Sequence, residues 1–281
     1  GVRGILGRLE EGELERTDAN GVTRRQALAE FGGDPERFEQ SRYMPGQVFA
    51  YVELHIEQGP VLEAMDKPVG IVTGISGPLW LTVDLYGFAG HAGSVPMPLR
   101  KDALVGAAKI IAEVQRLASL SPEAPTIGTV GSLEVFPNSR NIIPEHVRFT
   151  IDLRDIDLQR RNALERQLRE AIARIAGEER LTCSIREDMN SEPRYCSPRI
   201  MERIRESAAE LGLETPELMS GPFHDALAMS YYCDYGMIFV RCKDGISHNP
   251  KEFASMDDIA IGTELLYRTV RKLSGTGHGQ P

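Results

Sequence analysis

The sequence is short of several things, and each shortage excludes a class of protein. No apolar run approaches the roughly 18 residues that a membrane-spanning helix needs. Basic residues are the minority: 32 Lys and Arg against 41 Asp and Glu give a formal charge of -9. A surface of that sign repels phosphate backbones, which argues against nucleic-acid binding as the main role. Cysteine is scarce, and Cys183, Cys196, Cys233 and Cys242 show neither a CxxC pair nor a regular spacing. That pattern favours free thiols in a reducing cytosol over a disulfide framework. No methionine begins the chain, and Gly1-Val2-Arg3-Gly4 lacks a basic-then-apolar targeting pattern. Such an opening suggests processing or a fragment. Internal repeats and low-complexity blocks are missing too. What is present, 41% hydrophobic and 26% charged residues over 281 positions, is the composition of a soluble globular chain with room for one large domain or two ordinary ones.

Residues 1–48 are charged and glycine-spaced, with one short helical stretch expected at 24–31. The first strong pattern is at 49–56, where Ala50, Val52, Leu54 and Ile56 alternate with Tyr51, Glu53 and His55. A period of two predicts a strand. Gly59-Pro60 then breaks the chain, and Pro60 is placed to open a helix over 61–65. His55 thus stands near the C-terminal end of a strand that leads into a helix.

Residues 79–187 read as a second unit. Strands are expected at 79–86, 126–135, 147–153 and 181–186, and helices at 102–117 and 157–176, the first capped by Asp102. The order β-α-β-β-α-β is the split ferredoxin-like pattern, two helices on one face of an antiparallel sheet. From Ser197 the chain returns to an alternating α/β style. Ser197-Pro198 is expected to cap a helix to 211, 236–241 to form a strand buried on both faces, and Ser255 with Asp258 to open a last helix to 273. The fold class is therefore α/β, with a ferredoxin-like unit inserted between two pieces of another domain. The boundaries fall at 1–77, 78–190 and 191–281.

Six histidines carry most of the chemical interest. His55 at a strand end and His248 in the loop after another strand are both placed to face one crevice, where neutral imidazoles suit a metal ion. No HxxxH or HxD spacing is present, so the plainer alternative, hydrogen-bonded core or loop histidines, stays open. His91 lies among small residues in Gly90-His91-Ala92-Gly93, which permits close approach to a ligand or an ordinary solvated loop. Asn141 is a ligand contact or a turn residue. Arg154, at a strand end, is a carboxylate fork or a partner of Asp152 or Asp155. His224-Asp225 is an oriented histidine or a helix start, and His146 and His278 read as solvated.

The motif Glu53-Leu54-His55-Ile56-Glu57-Gln58-Gly59-Pro60 resembles N-carbamoyl-L-amino acid hydrolases, allantoate amidohydrolases and β-ureidopropionases, of the dinuclear metal amidase and peptidase superfamily. The resemblance continues through Gly90-His91-Ala92-Gly93-Ser94-Val95-Pro96-Met97, Arg100-Lys101-Asp102-Ala103-Leu104, Asn141-Ile142-Ile143-Pro144 and Asp152-Leu153-Arg154. It ends with Ser220-Gly221, His224-Asp225-Ala226 and Gly245-Ile246-Ser247-His248-Asn249-Pro250-Lys251-Glu252. These motifs cover nearly the whole chain in family order.

The resemblance implies a metallopeptidase-like catalytic domain, here incomplete, whose inserted unit is both lid and dimerisation domain. It implies His55 and His248 as metal ligands for zinc or manganese. Gln58 would contact substrate beside the metal. His91, Asn141 and Arg154 would be the lid groups, with Arg154 on the substrate carboxylate and His91 polarising the scissile carbonyl. The expected activity is hydrolysis of the carbamoyl (ureido) amide of N-carbamoyl amino acids or allantoate-like compounds, in a homodimer. Departures from the pattern accompany it. An HxD histidine, a bridging aspartate and a Glu-Glu pair that the family carries upstream are not found, so metal binding is expected to be impaired. Phe223 stands where the family has glycine, which would narrow the pocket. A noncatalytic dimerising or ligand-binding protein on the same scaffold, and an aminoacylase or peptidase of the same superfamily, are the alternatives.

Overall fold

A computed structural model describes residues 2–7, 9–37, 40, 42–44 and 46–275; His278 lies outside them. In chain order the elements are α1 (Val2–Ile5), α2 (Arg24–Glu30), β1 (Ala50–Ile56), α3 (Val61–Ala64), β2 (Val69–Ile75) and β3 (Gly77–Tyr86). There follow α4 (Ala103–Ala118), β4 (Ile127–Thr129), β5 (Leu133–Phe136), β6 (His146–Asp155), α5 (Leu158–Glu178), β7 (Thr182–Asn190) and β8 (Arg194–Tyr195). The chain closes with α6 (Pro198–Glu210), β9 (Glu217–Ser220), α7 (Asp225–Met229), β10 (Asp234–Val240) and α8 (Met256–Gly275). They divide into two units, residues 1–74 with 196–281, and residues 75–195.

The second unit is a five-element antiparallel sheet in the order β4-β6-β3-β7, with β5 also pairing β6. Alternation decides its faces. Leu79, Leu81, Val83 and Leu85 of β3 and Val147, Phe149, Ile151 and Leu153 of β6 form one buried layer. Against them lie Ala103, Ala107, Ile110, Val114 and Leu117 of α4, spaced by fours and threes, and Leu164, Leu168, Ile172 and Ile175 of α5. Each large side chain so buried contributes about 1.5–3 kcal/mol. Asp102 and Asp157 start the two helices by accepting backbone N–H groups of the first turn. Arg161, fully buried, donates to the carbonyls of Gly77 and Ser191 and to the amide oxygens of Asn162 and Asn190, tying α5 to the end of this sheet where β3 starts and β7 finishes.

The strand expected at 126–135 is two strands, β4 and β5, interrupted at 130–132 around Gly131. His146 is not solvated as expected. Its ring stacks between Tyr86 (4.6 Å, 7°) and Phe136 (5.0 Å, 12°), and its Nε2 lies 2.7 Å from Asp84 Oδ1. Burial alone would raise the Asp84 carboxyl, but hydrogen bonds from Arg148 and His146 outweigh it and hold the group below its ordinary value.

In the first unit β10 is central, parallel to β1 and antiparallel to β2, with β9 beside β2. The run Tyr235–Val240 is buried residue for residue, as a strand covered on both faces requires. β2 and β9 were not read from the sequence. Helix α8 covers the Leu54 side of the sheet, where Gly262 approaches Leu54, Val69 and Val240. Helix α7 covers the opposite side, where the Ala226 N–H reaches Glu53. Ser255 caps α8 by accepting the Asp258 N–H at 3.0 Å and donates its hydroxyl to the Asp258 carboxylate. Ser197 does not cap α6; its hydroxyl bonds Asp234 instead. All four cysteines are free, and no helix among the described residues is long and apolar enough to cross a membrane.

Candidate active site

The alternation of β1 places Glu53 and His55, two residues apart, on one face. Helix α7 brings His224 to the same face from its N-terminal end. The ligand atoms of Glu53, His55 and His224 all lie within 4.8 Å of one another. The two imidazoles meet edge-on with centroids 4.5 Å apart, and Phe239 of β10 backs His224 at 5.9 Å.

Hydrogen bonds fix which atoms stay open. His55 Nδ1 lies 2.9 Å from the Ile56 carbonyl; only a protonated nitrogen can use that acceptor, so the His55 lone pair is on Nε2. Ser220 donates its hydroxyl to the Pro222 carbonyl and lies 2.7 Å from His224 Nε2. It therefore accepts from that nitrogen, and the His224 lone pair is on Nδ1, 3.9 Å from Glu53 Oε1. Glu53 Oε2 accepts the Ala226 N–H at 2.8 Å, the Tyr51 side chain hydrogen-bonds the same carboxylate, and Oε1 is the oxygen nearer His224. Two imidazole nitrogens and one carboxylate oxygen, each held from behind, make a donor set that suits a divalent cation.

The electrostatics agree. Burial pushes the Glu53 carboxyl up, opposed by the Ala226 N–H and by His55. Burial and the neighbouring His55 push His224 down to about 4, so its ring is neutral and able to ligate at ordinary pH. Behind them the Tyr51 phenol, desolvated and beside Glu53 and Asp225, is pushed up to about 12 and stays protonated.

Two loops border this cluster. Gln58 follows β1 and His248 follows β10, and both adopt left-handed backbone, φ 57° and 55°. Gln58 Nε2 donates to Ser247 Oγ, and the His248 N–H donates to Glu252 Oε2 at 3.0 Å. Gly245, at φ 63°, packs so closely that a Cβ there would stand 2.9 Å from the Gly59 carbonyl carbon; only glycine fits. His248 is not a member of the three-residue donor group. Phe223 is 43% exposed.

The remaining predicted residues belong to the second unit. His91 pairs with Ile142, the Ala92 N–H bonds the Asn141 carbonyl at 2.9 Å, and the Ile143 N–H bonds Gly90 at 2.8 Å, so the His91 and Asn141 segments are side by side. His91 Nδ1 accepts the Gly93 N–H at 3.1 Å, which places the ring proton on Nε2 as an open donor. Arg154 is elsewhere. It sits at the far end of β6, opposite Ile127 and Pro78, and its guanidinium pairs with Asp152 at 2.8 Å. Eight residues of strand separate it from His146, roughly 26 Å.

Glu53 and His224 are the members of the cluster that the sequence did not single out as ligands. Glu-x-His on a strand was the available signal, since residues two apart share a face; for His224 it was the His224-Asp225 pair, read as an oriented histidine or a helix start.

The description of peptidase family M20/M25/M40 matches residues 9–272. The chain is 46% identical over 274 residues to the N-carbamoyl-L-amino-acid amidohydrolase of Pseudomonas sp. (strain NS671), covering 97% of this chain and 66% of that protein. It is 35% identical to the allantoate deiminase of Arabidopsis thaliana, covering 95% and 56%. Among solved structures, an amidase of the hydantoinase/carbamoylase family from Burkholderia multivorans superposes with a TM-score of 0.88 at 35% identity, covering 97% of this chain and 65% of that one. The chain thus spans 56–66% of the length of these relatives. With the match extending from residue 9 to residue 272, the chain belongs to peptidase family M20/M25/M40.

Proposed function

We propose that the protein is a metal-dependent amidohydrolase that cleaves the carbamoyl (ureido) amide of N-carbamoyl amino acids or allantoate-like substrates. The observation that carries this is the convergence of Glu53, His55 and His224, whose ligand atoms lie within 4.8 Å of one another, in a chain 46% identical to a protein named for that activity. His55 is common to two ligand sets, paired with His248 by resemblance and with Glu53 and His224 by proximity. A divalent ion, zinc or manganese, would supply a Lewis acid that polarises a carbonyl and makes water more acidic.

The chain's own residues divide the rest of the work. Neutral His224 and desolvated Glu53 hold the cationic side of the site. The Nε2–H of His91 is the donor for the oxyanion that develops as the ureido carbonyl is attacked. Arg154 is the fork for the substrate carboxylate, Asn141 and Gln58 bind the polar remainder, and Phe223 bounds the pocket. Because Arg154 and the His91–Asn141 pair stand at opposite ends of β6, one small substrate cannot touch both in a single copy. That separation supports a homodimer formed through residues 78–190, which would act as lid and interface. The free thiols fit a cytoplasmic location.

The test is calorimetric titration with Zn²⁺ and Mn²⁺, followed by assays of free amino acid released from N-carbamoyl-L-amino acids and from N-acetyl amino acids as controls, and of ammonia released from allantoate. The expected result is stoichiometric metal uptake that His55→Ala abolishes, with turnover of ureido compounds in preference to acetyl ones. Metal uptake that survives both His55→Ala and His224→Ala sinks the proposed centre.

A further inference from the structure

An amide side chain can face a ligand with its oxygen or its nitrogen. At Gln58 the loop after β10 removes that freedom. Glu252 is exposed and ionised at neutral pH, so its carboxylate only accepts hydrogen bonds. It accepts the His248 N–H at 3.0 Å and the hydroxyl of Ser247. Having given its single hydrogen to Glu252, Ser247 Oγ can meet Gln58 only as an acceptor. Gln58 must therefore turn Nε2 toward Ser247, as it does. Oε1 is then the Gln58 side-chain atom without a partner among the described residues. The two loops cannot slide to relieve this arrangement. Gly245 abuts the Gly59–Pro60 backbone, the Asp244 N–H donates to Glu63 at 2.7 Å, and Gln58 and His248 are both held in left-handed backbone.

We propose that Glu252 and Ser247 are positioning residues that lock Gln58 with Oε1 presented as an acceptor, so that the site selects substrates ending in an N–H donor. This rests on the amidohydrolase reading and sharpens its substrate class. A carbamoyl group ends in NH2, whereas a formyl group ends in hydrogen and an acetyl group in methyl. Only the first offers Oε1 a partner; the others leave a desolvated acceptor unpaired.

The experiment compares the metal-loaded protein with Ser247→Ala and Ser247→Thr. The side-chain amide resonances of Gln58, identified by their loss in Gln58→Glu, report its orientation. Calorimetry gives the affinity ratio for an N-carbamoyl against an N-formyl derivative of one amino acid, with turnover followed alongside. The amide pair is expected to shift in Ser247→Ala and to hold in Ser247→Thr. The carbamoyl preference should fall about tenfold in the first variant and persist in the second. An unmoved amide pair overturns the proposal, and so does a moved pair with an unchanged ratio, or a wild type that binds neither compound. Binding with the expected ratios but without turnover supports the lock and sinks only the hydrolase reading.

Discussion

Strands β1 and β3 begin from the same kind of sequence, alternating apolar and polar residues, and end in opposite conditions. β3 has a neighbour on each side and buries eight of its ten residues. β1 pairs, among the described residues, with β10 alone, and all seven of its residues are half-buried. The strand that carries Glu53 and His55 is thus not where the protein stores its stability. Side chains that would hold an ion need reach to something outside the fold, whereas core side chains need the reverse.

That contrast can be broken most forcefully from the β3 side. Phe149 of β6 packs at 0% exposure against β3 and the two helices. Phe149→Ala should cost about 3–5 kcal/mol in a denaturant melt, while metal uptake per folded molecule is unchanged. A loss below about 1 kcal/mol would mean that the sheet is not the stability store. From the β1 side, His55→Ala should lower turnover of an N-carbamoyl amino acid about 100-fold or more with little change in melting. If the melt moves and metal uptake does not, the assignment of roles to the two strands is reversed.

The smallest effect concerns pH and the metal-free protein. His224 is pushed from 6.5 to about 4 on folding, so between these values the unfolded chain binds more protons. Stability contributed by the neutral ring is therefore present above about 6.5 and lost as pH falls toward 4. The raised Glu53 carboxyl works in the other direction just above its ordinary value and flattens the slope. Melting temperature of chelated protein should fall more steeply between pH 6.5 and 4.5 in the wild type than in His224→Asn. Parallel curves would show that His224 titrates normally.

Much of the fold was legible because period-two and period-3.6 patterns are enforced by burial, and the 75–195 unit is built almost entirely of such patterns. Asp102 announces its helix by its position before an apolar period, whereas the cap at Asp157 was not read from the sequence. What escaped detection has equally physical causes. β2, Val-Gly-Ile-Val-Thr-Gly-Ile, is buried at all but one residue, so it lacks the alternation that marks a half-buried strand. β9 has four residues, too few to show a period. At the site, His55 and His248 were visible as histidines at strand ends. The pairing of His55 with His224 is set by the turn between β9 and α7, across 169 residues that no local pattern connects. His146 misled because nothing in the chain around it, Pro144-Glu145-His146-Val147-Arg148, reveals what its ring meets. Its partners, Tyr86 and Phe136, come from two other strands.

That ring stack has a bearing on how a short sheet border stays in place. β4 and β5, at one border of the 75–195 sheet, have only three and four residues. A border so brief offers an incoming backbone few amides to zip onto, which guards against sheet-to-sheet aggregation. Brevity normally leaves such a strand poorly anchored. Here Phe136 lies flat on His146, which lies flat on Tyr86, with Asp84 gripping the middle ring. One cross-sheet rivet lets the border stay both short and attached.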